Sequence, residues 1–119
     1  MEFPRENDDR WIHFSHYNED KRALTDSTKM PTKISELISN LSSPGFIQFL
    51  QQLTGIKNLI ADPSLQGGGI HQTKAGGFLN IHADFTVHPL NRCWRRRVNL
   101  LIYLNPNWQE SYEGHLELW

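Results

Sequence analysis

Cysteine is all but missing from this chain. Cys93 stands alone, so no internal disulfide framework can hold the fold together. A lone thiol suits a reducing compartment, and a cytoplasmic protein is the expectation. Long hydrophobic runs are missing too. No stretch approaches the roughly 20 apolar residues that span a bilayer. The opening Met1-Glu2-Phe3-Pro4-Arg5-Glu6-Asn7-Asp8-Asp9-Arg10 is too acidic to be a signal peptide and lacks an apolar centre. Nor is there a surplus of either charge. The formal net charge of −1 leaves no global field to steer the chain toward nucleic acid or membranes. Internal repeats, low-complexity tracts, a Walker loop, a G-x-S-x-G turn and paired Cys-x-x-Cys motifs are likewise absent.

What is present suits one small domain of 119 residues. Hydrophobic residues at 38% and charged residues at 21% are enough for a modest core and far from a disordered composition. Residues 1–9 are charged and expected to be mobile. Trp11-Ile12-His13-Phe14-Ser15-His16-Tyr17 nearly alternates and predicts a strand, while 18–30 reads as a polar loop with a short turn near 21–24. A helical layer follows over 31–55. Ile34, Leu37, Ile38 and Leu41 make one stripe, and Phe46, Phe49, Leu50 and Leu53 make a second. Ser43 with Pro44 forms a helix start and Gly55 a left-handed stop, so each helix is expected to bury one face.

From Ile60 the pattern shortens. Turn signals at Asp62-Pro63 and Gly67-Gly68-Gly69 separate candidate strands at 70–73, 78–83, 98–104 and 116–119. The segment Val98-Asn99-Leu100-Leu101-Ile102-Tyr103-Leu104 is apolar on both faces and reads as a central strand. Helices first and strands after predict a mainly β core with flanking helices, an α+β arrangement. The chain stops on the alternating Gly114-His115-Leu116-Glu117-Leu118-Trp119. Such a strand wants neighbours, and a truncated domain is the expectation.

One constellation carries chemistry: His82-Ala83-Asp84. On a strand, residues i and i+2 share a face, so the imidazole and the carboxylate project together. That pair suits a borderline metal such as iron(II), which two histidines and one carboxylate can hold on one octahedral face. A random chain of this composition, with six histidines, gives on the order of 0.3 such pairs. On the triplet alone, a partly exposed pair at a strand end is the simpler account.

The flanks raise its weight. Gly76-Gly77-Phe78-Leu79-Asn80-Ile81-His82-Ala83-Asp84-Phe85 is followed by Arg96-Arg97-Val98-Asn99-Leu100-Leu101-Ile102-Tyr103-Leu104-Asn105. Trp108 and Glu113-Gly114-His115-Leu116-Glu117-Leu118-Trp119 come next. This order resembles the 2-oxoglutarate- and iron(II)-dependent oxygenases of the prolyl 4-hydroxylase type, closely over 60–119 and more loosely over 31–55. The resemblance implies a double-stranded β-helix, or jelly roll, whose first part is 60–119 and which is incomplete at the C-terminus. It implies His82 and Asp84 as metal ligands, with the third, a histidine, beyond Trp119 together with the Arg or Lys that clamps 2-oxoglutarate. Tyr103 is similar to the phenol that binds the far carboxylate of 2-oxoglutarate. Fe(II), 2-oxoglutarate, dioxygen and ascorbate are the implied cofactors and co-substrates. The implied reaction hydroxylates an unactivated C–H bond of a peptidyl or small-molecule substrate, a fragment alone being inactive. If Tyr103 faces inward, so do Leu101 and Asn99.

Simpler readings stand beside these. Tyr103 alone would be an ordinary core tyrosine. Arg92, Arg95, Arg96 and Arg97 read as a solvated face, His71 and His88 as hydrogen-bonded loop histidines, and Cys93 as a partly buried thiol. Trp94, Trp108 and Trp119 read as packing residues. His115 stands where the family carries a second glycine. Two other functions remain open at this point: a non-catalytic jelly-roll interaction domain, and a cupin-like enzyme using zinc or another metal.

Overall fold

The computed structural model describes residues 3–118. Six elements carry the architecture: strands β1 (Ile12–His16) and β2 (Glu19–Leu24), helices α1 (Thr32–Leu41) and α2 (Pro44–Thr54), and strands β3 (Ile70–Gln72) and β4 (Phe78–Leu79). A 3-10 turn at Ser27–Lys29 links β2 to α1, its start capped by the Asp26 carboxylate. No helix among the described residues is long and apolar enough to cross a membrane.

β2 is the centre of the sheet. It pairs antiparallel with β1 along one edge, Ile12 opposite Ala23 through His16 opposite Glu19. Along its other edge β3 covers Arg22, Ala23 and Leu24, and β4 covers Glu19 and Asp20. β3 and β4 are thus two pieces of one antiparallel track, interrupted by the turn at 73–77. Glycine makes both junctions possible. A Cβ on Gly69, whose φ is +126°, would sit 2.4 Å from the Leu24 carbonyl oxygen. One on Gly77 would sit 2.6 Å from the Asp20 oxygen. Only a residue without a side chain lets the backbone return to β2 this closely.

A strand at 19–24 corrects the expected polar loop. Glu-Asp-Lys-Arg-Ala-Leu has little β-propensity, but its position between two edges decides its conformation. Its charges are satisfied locally. Lys21 Nζ lies 2.7 Å from Glu19 Oε2, and Arg22 Nε donates to Gln72 Oε1 at 2.7 Å across the ladder. Arg22 also donates to the Glu6 carbonyl and lies over the Trp11 ring at 5.1 Å, so a buried guanidinium keeps its donors occupied.

The core is small: Trp11, Ala23, Leu24, Met30 and Ile34 are buried, with Ile38, Leu65 and Ile70 packed against the cluster. Leu24 is completely enclosed. Trp11 Nε1 donates to the Arg5 carbonyl at 3.0 Å, tying the start of the chain to the core. Both helices form where their stripes and signals place them. Ser43 Oγ accepts from Phe46 N at 3.3 Å, Pro44 occupies the first turn, and Gly55 ends α2 at φ +72°. The expected burial holds only in part. α1 buries Ile34, whereas α2 buries no residue and leaves Phe49 and Leu53 exposed.

The larger departures lie downstream. β4 spans two residues rather than the six expected over 78–83. Segment 98–104, expected as the central strand, has no ladder, and every residue from Leu100 to Leu104 is exposed. Its backbone makes no hydrogen bond with other described residues, because no second strand lies beside it. Residues 116–118 form no strand either, and Trp119 lies outside the described residues. Among the described residues the fold is therefore a small four-stranded antiparallel sheet with two helices, without a complete jelly roll.

Candidate metal centre

His82 is held to the sheet through its neighbour. As β4 ends, Asn80 N donates to the Asn18 carbonyl at 2.8 Å and Asn80 Nδ2 donates to the Tyr17 carbonyl at 3.0 Å. Both acceptors belong to the turn joining β1 and β2. The Asn80 carbonyl then faces His82 Nδ1 at 2.7 Å. A carbonyl only accepts, so Nδ1 carries the proton and the neutral ring keeps its lone pair on Nε2.

Nε2 is the ring nitrogen nearer Asp84. His82 Nε2 and Asp84 Oδ1 are 3.5 Å apart, and both side chains are 44% exposed. Two donors about 2.1 Å from one ion subtend an edge of roughly 3.0–3.4 Å at octahedral to tetrahedral angles. The pair thus fits a metal with little movement, although neither residue lies in a strand. The other carboxylate oxygen is occupied. Asn99 Nδ2 donates to Asp84 Oδ2 at 3.3 Å, and Arg96 Nη1 lies 3.5 Å from the same atom.

A hairpin brings those partners in. Val87 and Arg95 form an antiparallel bridge, flanked by Arg96 N donating to the Thr86 carbonyl at 2.9 Å and His88 N to the Trp94 carbonyl at 3.1 Å. The bend between them folds Asn99 and Arg96 back over Asp84. His88 clasps the hairpin from below. Its Nδ1 accepts the backbone N–H groups of Leu90 and Asn91 at 3.2 and 2.9 Å, so its proton sits on Nε2, which points at Asp62 Oδ2 at 3.2 Å. Asp62 also accepts from Ser64 N, Ser64 Oγ and Gln66 N at 2.9, 2.6 and 2.8 Å. Burial opposes ionisation of this carboxyl, but the hydrogen bonds from Ser64, Gln66 and His88 outweigh it and hold its pKa down to about 2. The Trp94 ring meets His88 edge-on at 5.3 Å.

Beside His82 opens a cleft of about 260 Å³, bordered by His16, Glu19, Lys21, Leu79 and Asn80. The Lys21 hydrogen bond holds the Glu19 carboxyl below its ordinary range, with burial opposing. Tyr103 stands apart: the residue is 59% exposed and makes no hydrogen bond or ring contact with His82 or Asp84. No group of three His, Cys, Asp or Glu side chains converges as a metal site among the described residues. The structure therefore presents two donors, and these fit two corners of a three-residue set.

Two readings of individual residues change. Arg96 is not part of a solvated face, since its side chain is 21% exposed and its guanidinium lies 4.6 Å from the Phe85 ring centre. Cys93 is exposed rather than partly buried. His88 is the hydrogen-bonded loop histidine the sequence leads one to expect, and its partner is Asp62, which the sequence marks only as part of a turn. The spacing of Asp62 and Ser64 before a glycine run offers a weak turn signal and nothing that points to position 88. His115 packs edge-on against Trp108 at 5.6 Å, and the adjacent Gly114 adopts φ +78°.

Residues 68–119 match the family model of the 2OG-Fe(II) oxygenase superfamily, a span that includes His82, Asp84, Arg96, Asn99 and Tyr103. The match supports that superfamily, and the sheet with its two helices is compatible with part of such a fold. No curated protein and no solved structure gives a match.

Proposed function

We propose that this chain carries part of the active centre of a prolyl 4-hydroxylase-like dioxygenase, one that hydroxylates an unactivated C–H bond of a peptidyl or small-molecule substrate. The observation that supports it best is the paired presentation of His82 Nε2 and Asp84 Oδ1, each with its other polar atom engaged elsewhere. Fe(II) held there would supply dioxygen activation coupled to conversion of 2-oxoglutarate into succinate and carbon dioxide.

The chain's own residues do the positioning. Asn80 fixes the rotation and tautomer of His82 through its carbonyl, and its own amide ties that carbonyl to the β1–β2 turn. The hairpin holds Asp84 at the distance a shared ion requires. Tyr103 is the residue this reading assigns to the far carboxylate of 2-oxoglutarate. Its phenol has no competing hydrogen bond among the described residues. The third ligand, a histidine, the cation that clamps 2-oxoglutarate and any use of ascorbate belong to the same reading.

Succinate release by a protein that carries this chain together with the third ligand and the clamping cation, dependent on Fe(II), 2-oxoglutarate and a peptidyl-proline substrate, is the test. Replacing His82 or Asp84 by Ala should abolish it. Turnover indifferent to both substitutions would refute the assignment. A second reading, a non-catalytic interaction domain, draws on the exposed apolar segment 98–104, whose unpaired backbone is suited to strand addition.

A further inference from the structure

The atoms around Asp84 carry one step more. Oδ2 receives the Asn99 amide at 3.3 Å and faces Arg96 Nη1 at 3.5 Å. Arg96 Nη2 donates in turn to Asn99 Oδ1 at 3.3 Å, which closes a three-residue ring of contacts. That ring is itself anchored. The Arg96 guanidinium rests on Phe85, and the Arg96 backbone N–H is bound to the Thr86 carbonyl within the hairpin. Asn99 therefore cannot turn its amide without also releasing Arg96. Oδ1 remains, turned toward His82 Nε2.

We infer that Asn99 and Arg96 are positioning residues that restrict Asp84 to donating through Oδ1 alone. This rests on the reading of His82 and Asp84 as metal ligands. Its chemical consequence concerns open positions. An octahedral ion held by three single-atom donors on one face keeps three positions for a chelating co-substrate and dioxygen. A carboxylate that closed on the ion with both oxygens would take one of those positions. Engaging Oδ2 from outside, through the Asn99 amide and the Arg96 guanidinium, prevents that. Arg96 acts twice, as a charge facing Oδ2 and as the donor that orients Asn99.

Co(II) is a suitable probe, because its visible absorption reports coordination and its binding needs no turnover. Titration of the chain gives an affinity. The infrared difference spectrum of ¹³C-aspartate-labelled protein, with and without Co(II), gives the splitting between antisymmetric and symmetric carboxylate stretches. Asp84→Asn provides the blank. The wild type should show the wide splitting of a one-oxygen donor. Asn99→Ala should narrow it to the chelating range and change the affinity by about tenfold, the usual scale for an outer partner of a ligand. Arg96→Lys, which keeps the charge but loses the second N–H group, should fall between the two. Asn99→Gln, which restores an amide, should recover part of the wide splitting. Arg97→Ala, outside the ring, should match the wild type. The Trp94 and His88 ring signals by NMR show whether the hairpin is intact in each variant.

Wild-type splitting and affinity in both Asn99→Ala and Arg96→Lys would overturn the inference and leave the ligand assignment standing. Co(II) binding that is the same in His82→Ala, Asp84→Asn and wild type would overturn both.

Discussion

Strand β2 and the segment from 98 to 104 differ in apolar content and meet fates opposite to what that content suggests. Leu24 is completely buried although its strand is Glu-Asp-Lys-Arg-Ala-Leu, whereas Leu101 is half exposed within Val-Asn-Leu-Leu-Ile-Tyr-Leu. Hydrophobicity therefore does not decide which stretch becomes a strand here. Partners do. β2 has neighbours on both edges and pairs its backbone groups, while 98–104 has none among the described residues. A strand is a property of a ladder, and a polar sequence with two neighbours outranks an apolar one with none.

Truncating one leucine in each region is the most direct way to break this contrast. Leu24→Ala removes a side chain enclosed by Trp11, Met30 and Ile34, and should cost about 3 kcal/mol, within the range of core leucine truncations. Leu101→Ala should change stability by less than about 0.5 kcal/mol. Urea unfolding followed by Trp11 fluorescence measures both. Equal losses would mean that 98–104 is packed in solution. Hydrogen exchange sharpens the same point. Amides of β2 should exchange only through opening of the sheet, and those of 98–104 at nearly unprotected rates.

Gly69→Ala tests the other half of the contrast, the closeness of β3 to β2. The added Cβ would overlap the Leu24 carbonyl oxygen at 2.4 Å, at a φ of +126° that L-residues avoid. A loss of roughly 2 kcal/mol is expected, on the scale of such backbone strain. Gly45→Ala, with nothing near its Cβ, should be neutral or slightly stabilising. If the two variants unfold at the same urea concentration, the tight junction at Gly69 does not exist in solution.

The local signals were legible in the sequence. Ser43, Pro44 and Gly55 bracket α2 because caps act within a few residues, and β1 followed from near alternation. β2 was not legible, because its burial comes from Ile70 and Gln72, some fifty residues away, and from Arg22 finding an amide rather than water. Segment 98–104 misled for the converse reason. Its pattern describes what it can bury, not what is beside it. At the centre, the i, i+2 spacing of His82 and Asp84 did anticipate their convergence, even without a strand to enforce it. Alternation would put Asn99 and Tyr103 on one face, but without a strand over 98–104 only Asn99 reaches Asp84. Arg96 was not foreseeable, because a run of arginines gives no sign of which one folds inward. The Asp62–His88 clasp spans two loops and has no periodic signature at all.

That clasp connects the two regions and gives the smallest of the expected effects. Asp62 sits beside the Leu65 end of the core, and His88 belongs to the hairpin that places Arg96 and Asn99. The folded-state pKa of Asp62, about 2, lies below its ordinary 3.8, so the carboxylate stabilises the fold above pH 3.8. This contribution disappears as pH falls from 3.8 through about 2. The full shift would correspond to roughly 2 kcal/mol, and with 28% of the side chain exposed, solvent screening reduces this to about 1 kcal/mol. Asp62→Asn should lose that amount at pH 6, since an amide cannot accept through both positions. The gap between wild type and variant should then close on going from pH 4 to pH 2, measured by urea midpoints. If the gap persists unchanged at pH 2, the carboxylate charge is not what holds the hairpin. The orientation of Asn99 and Arg96 over Asp84 would then depend on the backbone bridge between Val87 and Arg95 alone.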